Sequence, residues 1–162
     1  MNVIRKLIFG FCMLYFAAGV SAAADSIVIK GSTTVLPVAQ GTLEAFMKAN
    51  PGVQMSLSGG GSGEGIKALI DKTADIATSS REIKPKEIEL AKSKGVHPVA
   101  HIVAYDAIIP VVHPKNKVKN LTVDQLGQIY QGNITNWKEV GGDDLKIVVI
   151  SRDSSSGTFE SW

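Results

Sequence analysis

Cysteine is almost absent. Cys12 is the single one in 162 residues, and it sits in an amino-terminal stretch that reads as removable. Arg5 and Lys6 precede an apolar run from Leu7 to Val20, and Ser21-Ala22-Ala23-Ala24 supplies the small residues that signal-peptide cleavage needs. The run is short of the roughly 20 residues that a membrane-spanning helix requires. Cys12 lacks the flanking small residues of a lipoprotein acylation site. Residues 1–24 are therefore expected to be a signal peptide, cut after Ala23 or Ala24, with the product periplasmic or secreted. Beyond it no cysteine remains, which excludes disulfides and thiolate metal sites whatever the redox state of the compartment.

Net charge is lacking too. Without Arg5 and Lys6 the 17 basic residues become 15, equal to the 15 acidic ones. A neutral chain offers no electrostatic argument for nucleic acid or for an acidic membrane surface. Histidine is scarce: His97, His101 and His113 all lie in or beside apolar extended stretches. His97 and His101 are four apart, but Pro98 opposes the helix that would bring them together on a metal. The glycine-rich loop Ser58–Gly65 is no nucleotide P-loop, because Ile66-Lys67-Ala68 follows where Lys-Ser or Lys-Thr is required. Nor does it have the acidic residue of a dinucleotide fingerprint. Ser154-Ser155-Ser156-Gly157-Thr158 lacks the Gly-x-Ser-x-Gly of a nucleophile elbow, and no histidine base is in evidence. No cofactor and no metal are implied.

What is present alternates between strand and helix patterns. Ser26–Lys30 reads as a strand, and Leu36, Ala39, Leu43, Phe46 and Met47 space out one helical face, with Pro37 in the first turn. Asn50-Pro51-Gly52 stops that helix, Val53–Leu57 is a second strand, and a short helix follows with Ile66, Leu69 and Ile70 inward. Ala74–Thr78 is a brief strand, and Pro85 opens a helix closed by Gly95. His97–Ala104 and Ala107–Val112 read as extended, interrupted at Tyr105-Asp106. Thr122-Val123-Asp124-Gln125 has capping-box spacing for a helix through Tyr130, and Lys146–Ile150 reads as a last strand. This order predicts an α/β fold with a largely parallel sheet, whose ligands collect at the carboxyl ends of the strands.

Those ends carry four polar runs: Gly31-Ser32-Thr33-Thr34, Ser58–Gly65, Thr78-Ser79-Ser80-Arg81 and Ser151–Thr158. They offer many hydroxyl and N–H donors and only two cations, Arg81 and Arg152, an inventory suited to an oxyanion held at helix N-termini. A guanidinium at Arg152 can bind an oxyanion bidentately while the following N–H groups cap it; the plainer reading pairs Arg152 with Asp153 or Glu160. Arg81 has Glu82 beside it as a partner. Asp106 interrupts an apolar run, so it must be solvated, paired or functional. A carboxylate suits an anion site only where the ligand brings a proton. Hydrogen phosphate has an O–H to donate and sulfate has none, a distinction that can be worth about 10⁴–10⁵ in selectivity. The sequons at Asn120 and Asn133 carry no functional weight, and Thr122 is better explained as a helix cap.

Five pieces in order now resemble the periplasmic phosphate-binding proteins that feed the ABC phosphate transporter: Gly31-Ser-Thr-Thr-Val-Leu-Pro, Ser58-Gly-Gly-Gly-Ser-Gly-x-Gly-Ile, Ala74-Asp-Ile-Ala with Ser79-Ser80-Arg81, Tyr105-Asp106, and Ser151-Arg152 through Ser156-Gly157-Thr158. The resemblance covers essentially all of the chain after residue 24. It implies a type 2 periplasmic-binding-protein clamp, two α/β lobes around a buried phosphate, with an ABC permease as partner and no oligomer. By motif, Ser32, Thr33, Thr34, Ser62 and Ser80 would donate to phosphate. Arg152 would supply the cation, Ser156, Gly157 and Thr158 would cap the anion, and Asp106 would accept the proton. Some relatives carry that carboxylate near the position of Ser80. Family members are longer, so the expectation is a truncated product: a first lobe over 25–112 and the opening of a second over 113–162, divided at the polar stretch His113–Asn120. A binding protein for sulfate, molybdate or tungstate, a secreted phosphatase or hydrolase, and an adhesive role remain the competing readings.

Overall fold

A strand's backbone N–H and C=O groups need a partner strand on each side to be fully hydrogen-bonded, and the first strand has both. A computed structural model describes residues 26–162, so the expected signal peptide lies outside the described residues. Strand β1 (Ser26–Gly31) is central in a three-stranded parallel sheet, flanked by β2 (Gln54–Gly59) and β3 (Ile76–Thr78) in the order β2-β1-β3. The register runs from Ser26 opposite Gln54 to Gly31 opposite Gly59 on one side, and from Ile29 opposite Ile76 to Gly31 opposite Thr78 on the other. All three strands therefore end level with Gly31. The sheet order reverses at β1, which is the arrangement that opens a crevice at the carboxyl ends.

Helix α1 (Leu36–Ala49) links β1 to β2, and α2 (Ser62–Ile70) links β2 to β3. Right-handed crossovers that travel in opposite directions put these helices on opposite faces of the sheet. The α2 face is the better buried: Ile66 and Ile70 pack with Ala91 of α3 (Pro85–Ser93), and Ile83 and Val96 close the cluster. On α1 only Leu43 is buried, and Phe46, expected inward, is 47% exposed.

The expected strands at 97–112 and 146–150 do not form. A strand exists only where another edge accepts its hydrogen bonds, and none meets these segments beyond a single antiparallel bridge, Asn136 to Lys146. Most of their apolar side chains stay in solvent, Val99 at 76% exposed, Val111 at 89% and Ile150 at 84%, while Ile147 is buried. Helix α4 (Val123–Tyr130) starts as its capping box dictates, with Gln125 N–H donating to Thr122 Oγ1 (3.1 Å) and Thr122 N–H to Gln125 Oε1 (2.9 Å). A 3₁₀ turn, Trp137–Val140, follows, and α5 (Gly157–Ser161) ends the ordered elements. Trp162 packs against Tyr130 in a tilted pair, with ring centroids 4.9 Å apart. Among the described residues no helix is long and apolar enough to cross a membrane.

Candidate functional site

The residues after Gly31 turn back on themselves before α1. Ser32 is 2% exposed, its N–H donates to Thr78 O (2.9 Å), and its Oγ accepts from the N–H groups of Thr34 (3.2 Å) and Val35 (3.4 Å). This Ser turn fixes Thr33 and Thr34 at the sheet's carboxyl edge. Gly60 and Gly61 also donate their N–H groups to Gly31 O (2.9 and 3.0 Å), so the loops after β1 and β2 are tied together.

At the start of α2, Ser62 is fully buried; its Oγ accepts from Ser80 N–H (3.0 Å) and bonds Ser80 Oγ (3.2 Å). A buried hydroxyl pair of this kind is satisfied without charge.

The fourth run comes in from residue 151 onward and lands on the other three. Arg152 Nη2 donates to Thr33 Oγ1 (2.7 Å). Ser155 Oγ lies 2.9 Å from Gly60 O, and Ser155 O accepts from Gly63 N–H (3.1 Å). Gly61 permits this contact: its φ is +105°, and a Cβ there would lie 2.6 Å from Ser155 O. Ser156, 3% exposed, caps α5 by accepting from Phe159 N–H (3.4 Å). Gly157 lies against Ser62 and Ser80; a Cβ on it would fall 2.5 Å from Ser80 Oγ and closer still to Ser62 Oγ. Thr158 Oγ1 is 3.3 Å from Thr34 Oγ1. Ser32, Thr33, Thr34, Ser62, Ser80, Arg152, Ser156, Gly157 and Thr158 are thus brought together.

The charges sort themselves around this cluster. Asp153 takes the Ser155 hydroxyl and the Ser155 N–H (3.0 Å), and these bonds hold its carboxyl below the ordinary range. Glu160 is engaged by Arg81 and Lys84. Both partners that a plain surface arginine would use are therefore occupied, and Arg152 enters no ion pair among the described residues. Arg81, in contrast, forks onto Glu87 (2.9 and 2.8 Å) rather than pairing with the carboxylate of adjacent Glu82. That fork raises the guanidinium's pKa and lowers that of Glu87.

Asp106 is not brought to the cluster. Its side chain is exposed and accepts from Ala107 N–H (2.8 Å). It lies in the unpaired 97–112 segment, where no strand partner fixes its direction. His97, His101 and His113 are exposed, and none bonds a serine of the cluster. Among the described residues no group of three or more His, Cys, Asp or Glu could hold a metal. Ser155 was missed in the sequence as a separate contributor. Its only signal was membership in a serine run, and its work is structural, joining the fourth run to the glycine loop.

A parallel α/β unit with polar loops meeting at its strand ends has the crevice in which such folds hold small ligands. The chain belongs to the PBP superfamily, whose domain model matches residues 17–162. It is 41% identical over 133 residues to the phosphate-binding protein PstS of Borreliella burgdorferi, covering 82% of this chain and 46% of that protein. It is 36% identical over 142 residues to the phosphate-binding protein PstS of Bacillus subtilis, covering 88% and 46%. A phosphate ABC transporter substrate-binding protein from Clostridium perfringens, solved with bound phosphate, superposes with a TM-score of 0.75 at 42% identity, over 85% of this chain and 54% of that one. The ABC-type phosphate transport receptor of Vibrio cholerae gives 0.67 at 38% identity, over 84% and 53%. The chain spans about half the length of the curated relatives it matches.

Proposed function

We propose that the chain binds inorganic phosphate, as hydrogen phosphate, outside the cytoplasm and passes it to the permease of an ABC transporter. The observation that carries this is the meeting of all four polar runs: Arg152 on Thr33, Thr158 beside Thr34, and Gly157 against the Ser62–Ser80 pair. One guanidinium and a set of neutral donors suit a small tetrahedral dianion. Each hydrogen bond to a charged ligand contributes about 1.5–3 kcal/mol, so a handful suffices for tight binding after ordering losses. Hydroxyls also accept, so a protonated phosphate oxygen has partners in Thr34, Thr158, Ser62 or Ser80 without a carboxylate.

No chemistry is performed in this reading. Among the described residues no histidine bonds a serine of the cluster, and the relatives named above are binding and transport proteins. The protein acts as a monomer that surrenders its ligand to a membrane partner.

Calorimetric titration of the chain with phosphate and with sulfate tests it. Saturable phosphate binding at least tenfold tighter than sulfate is expected. Preference for sulfate, or turnover of a phosphate ester lost on Ser62→Ala, overturns it.

A further inference from the structure

Helix α5 has five residues, far too few to be stable unaided. Its N-terminal residues nevertheless complete the cluster, so something outside the cluster must seat it. Arg81 follows Ser80 directly, and its side chain is 7% exposed. Nη1 and Nη2 fork onto the Glu87 carboxylate at 2.9 and 2.8 Å, and Nη1 also donates to Glu82 O (2.8 Å). Nε lies 2.8 Å from Glu160 Oε2, an ion-pair approach without the alignment of a full hydrogen bond. Lys84 Nζ meets the same oxygen at 2.5 Å.

We infer that Arg81 is a positioning residue for anion binding, locking Glu160 and hence α5 onto the segment that carries Ser80. Glu160 is one turn beyond Gly157, so fixing its carboxylate fixes the N–H groups of Gly157 and Thr158 against the Ser62–Ser80 hydroxyls. Glu87 holds the guanidinium in the plane that presents Nε to α5, and Lys84 N–H donates to that same carboxylate (2.8 Å). The positive charge of Arg81 is consumed by two carboxylates. It seats the donors, and Arg152 is left to meet the ligand's charge.

This inference rests on the phosphate-binding reading, and the unaltered chain tests that reading separately by its own titration with inorganic phosphate. With binding present, Glu160→Gln is expected to weaken phosphate affinity at least fivefold with unchanged circular dichroism. Amide exchange at Gly157 and Thr158 should quicken in the same variant. In a Gly157→Ala background, where α5 is already displaced, the same change should alter affinity less than twofold. An affinity within twofold of the parent for Glu160→Gln overturns the inference, as does a full additive loss in the Gly157→Ala background. If Glu160→Gln fails to fold, Arg81→Lys, which keeps one positive charge but loses both the fork onto Glu87 and the Nε approach to Glu160, should weaken binding at least fivefold. No change there also overturns it.

Discussion

Gly157→Ala separates the geometry of the cluster from the stability of the fold. A Cβ at 157 would sit 2.5 Å from Ser80 Oγ and closer to Ser62 Oγ, where ordinary contact begins near 3.4 Å. Ser62 is fully buried and bonded to Ser80, so the hydroxyls have nowhere to go. The helix start must instead retreat by about 1 Å, the usual response to an overpacked contact, which typically costs about 1–3 kcal/mol. That retreat takes two N–H donors, those of Gly157 and Thr158, off the ligand position. Losing even one hydrogen bond to a charged ligand, at about 1.5–3 kcal/mol, lowers affinity by roughly ten- to a hundredfold. Gly127→Ala on α4 is the control: a Cβ there meets nothing nearer than Gln131 Nε2 at 4.0 Å. It should leave affinity unchanged and stabilise the fold slightly, since alanine restricts the unfolded chain. Titration calorimetry with inorganic phosphate and thermal melts on both variants read this out. Affinity within twofold of the parent for Gly157→Ala would refute the placement of α5 at the ligand.

Arg152→Ala should weaken phosphate binding at least a hundredfold, and Arg152→Lys by less, because a lysine keeps the charge but loses the planar fork; equal affinities across the three, measured by equilibrium dialysis, would remove Arg152 from the site. Asp106→Asn should leave the phosphate-to-sulfate affinity ratio within twofold, since the carboxylate is exposed and bonded to its own neighbour; a tenfold drop in competition titrations would bring it into recognition. Glu87 is held below its ordinary value chiefly by the hydrogen bond from Arg81. A depressed carboxyl contributes stability above its unfolded pKa of about 4.3 and loses it as pH falls through the lower folded value. Thermal melts should therefore show Glu87→Gln below the parent at pH 7, with the gap closing below about pH 4; parallel curves from pH 7 to 3 would contradict the pairing. Replacing Ile102 and Val111 by lysine should raise the solubility of the chain, because both are largely exposed in an unpaired segment; light scattering that is unchanged would count against that account of the segment.

Elements of the fold were legible where their determinants are local. Alternation in Ser26–Lys30, the 3.6-residue spacing after Pro37 and the Thr122–Gln125 cap each act within one element, and the structure has them. Residues 97–112 and 146–150 carry equally good strand composition but no partner edge, and composition cannot supply one. Phe46 shows the same gap on a helix: its spacing points inward, yet the sheet beneath α1 is too narrow to cover it. At the site, the hydroxyl runs announced an oxyanion, and nearly all their members converge. Arg81 was misread because sequence proximity favoured Glu82. Its true partners, Glu87 one helix turn into α3 and Glu160 on α5, depend on chain segments meeting in space. Asp106 was singled out by its oddity in an apolar run, a signal that marks a solvated carboxylate as well as a functional one.

The four polar runs are proposed to form one phosphate site. Amide chemical shifts recorded by NMR during titration with inorganic phosphate test it most directly. Saturable changes concentrated at Thr33, Thr34, Ser62, Gly157 and Thr158, with little response to equal sulfate, are the predicted result. Shifts centred elsewhere, or none at millimolar phosphate, would contradict it.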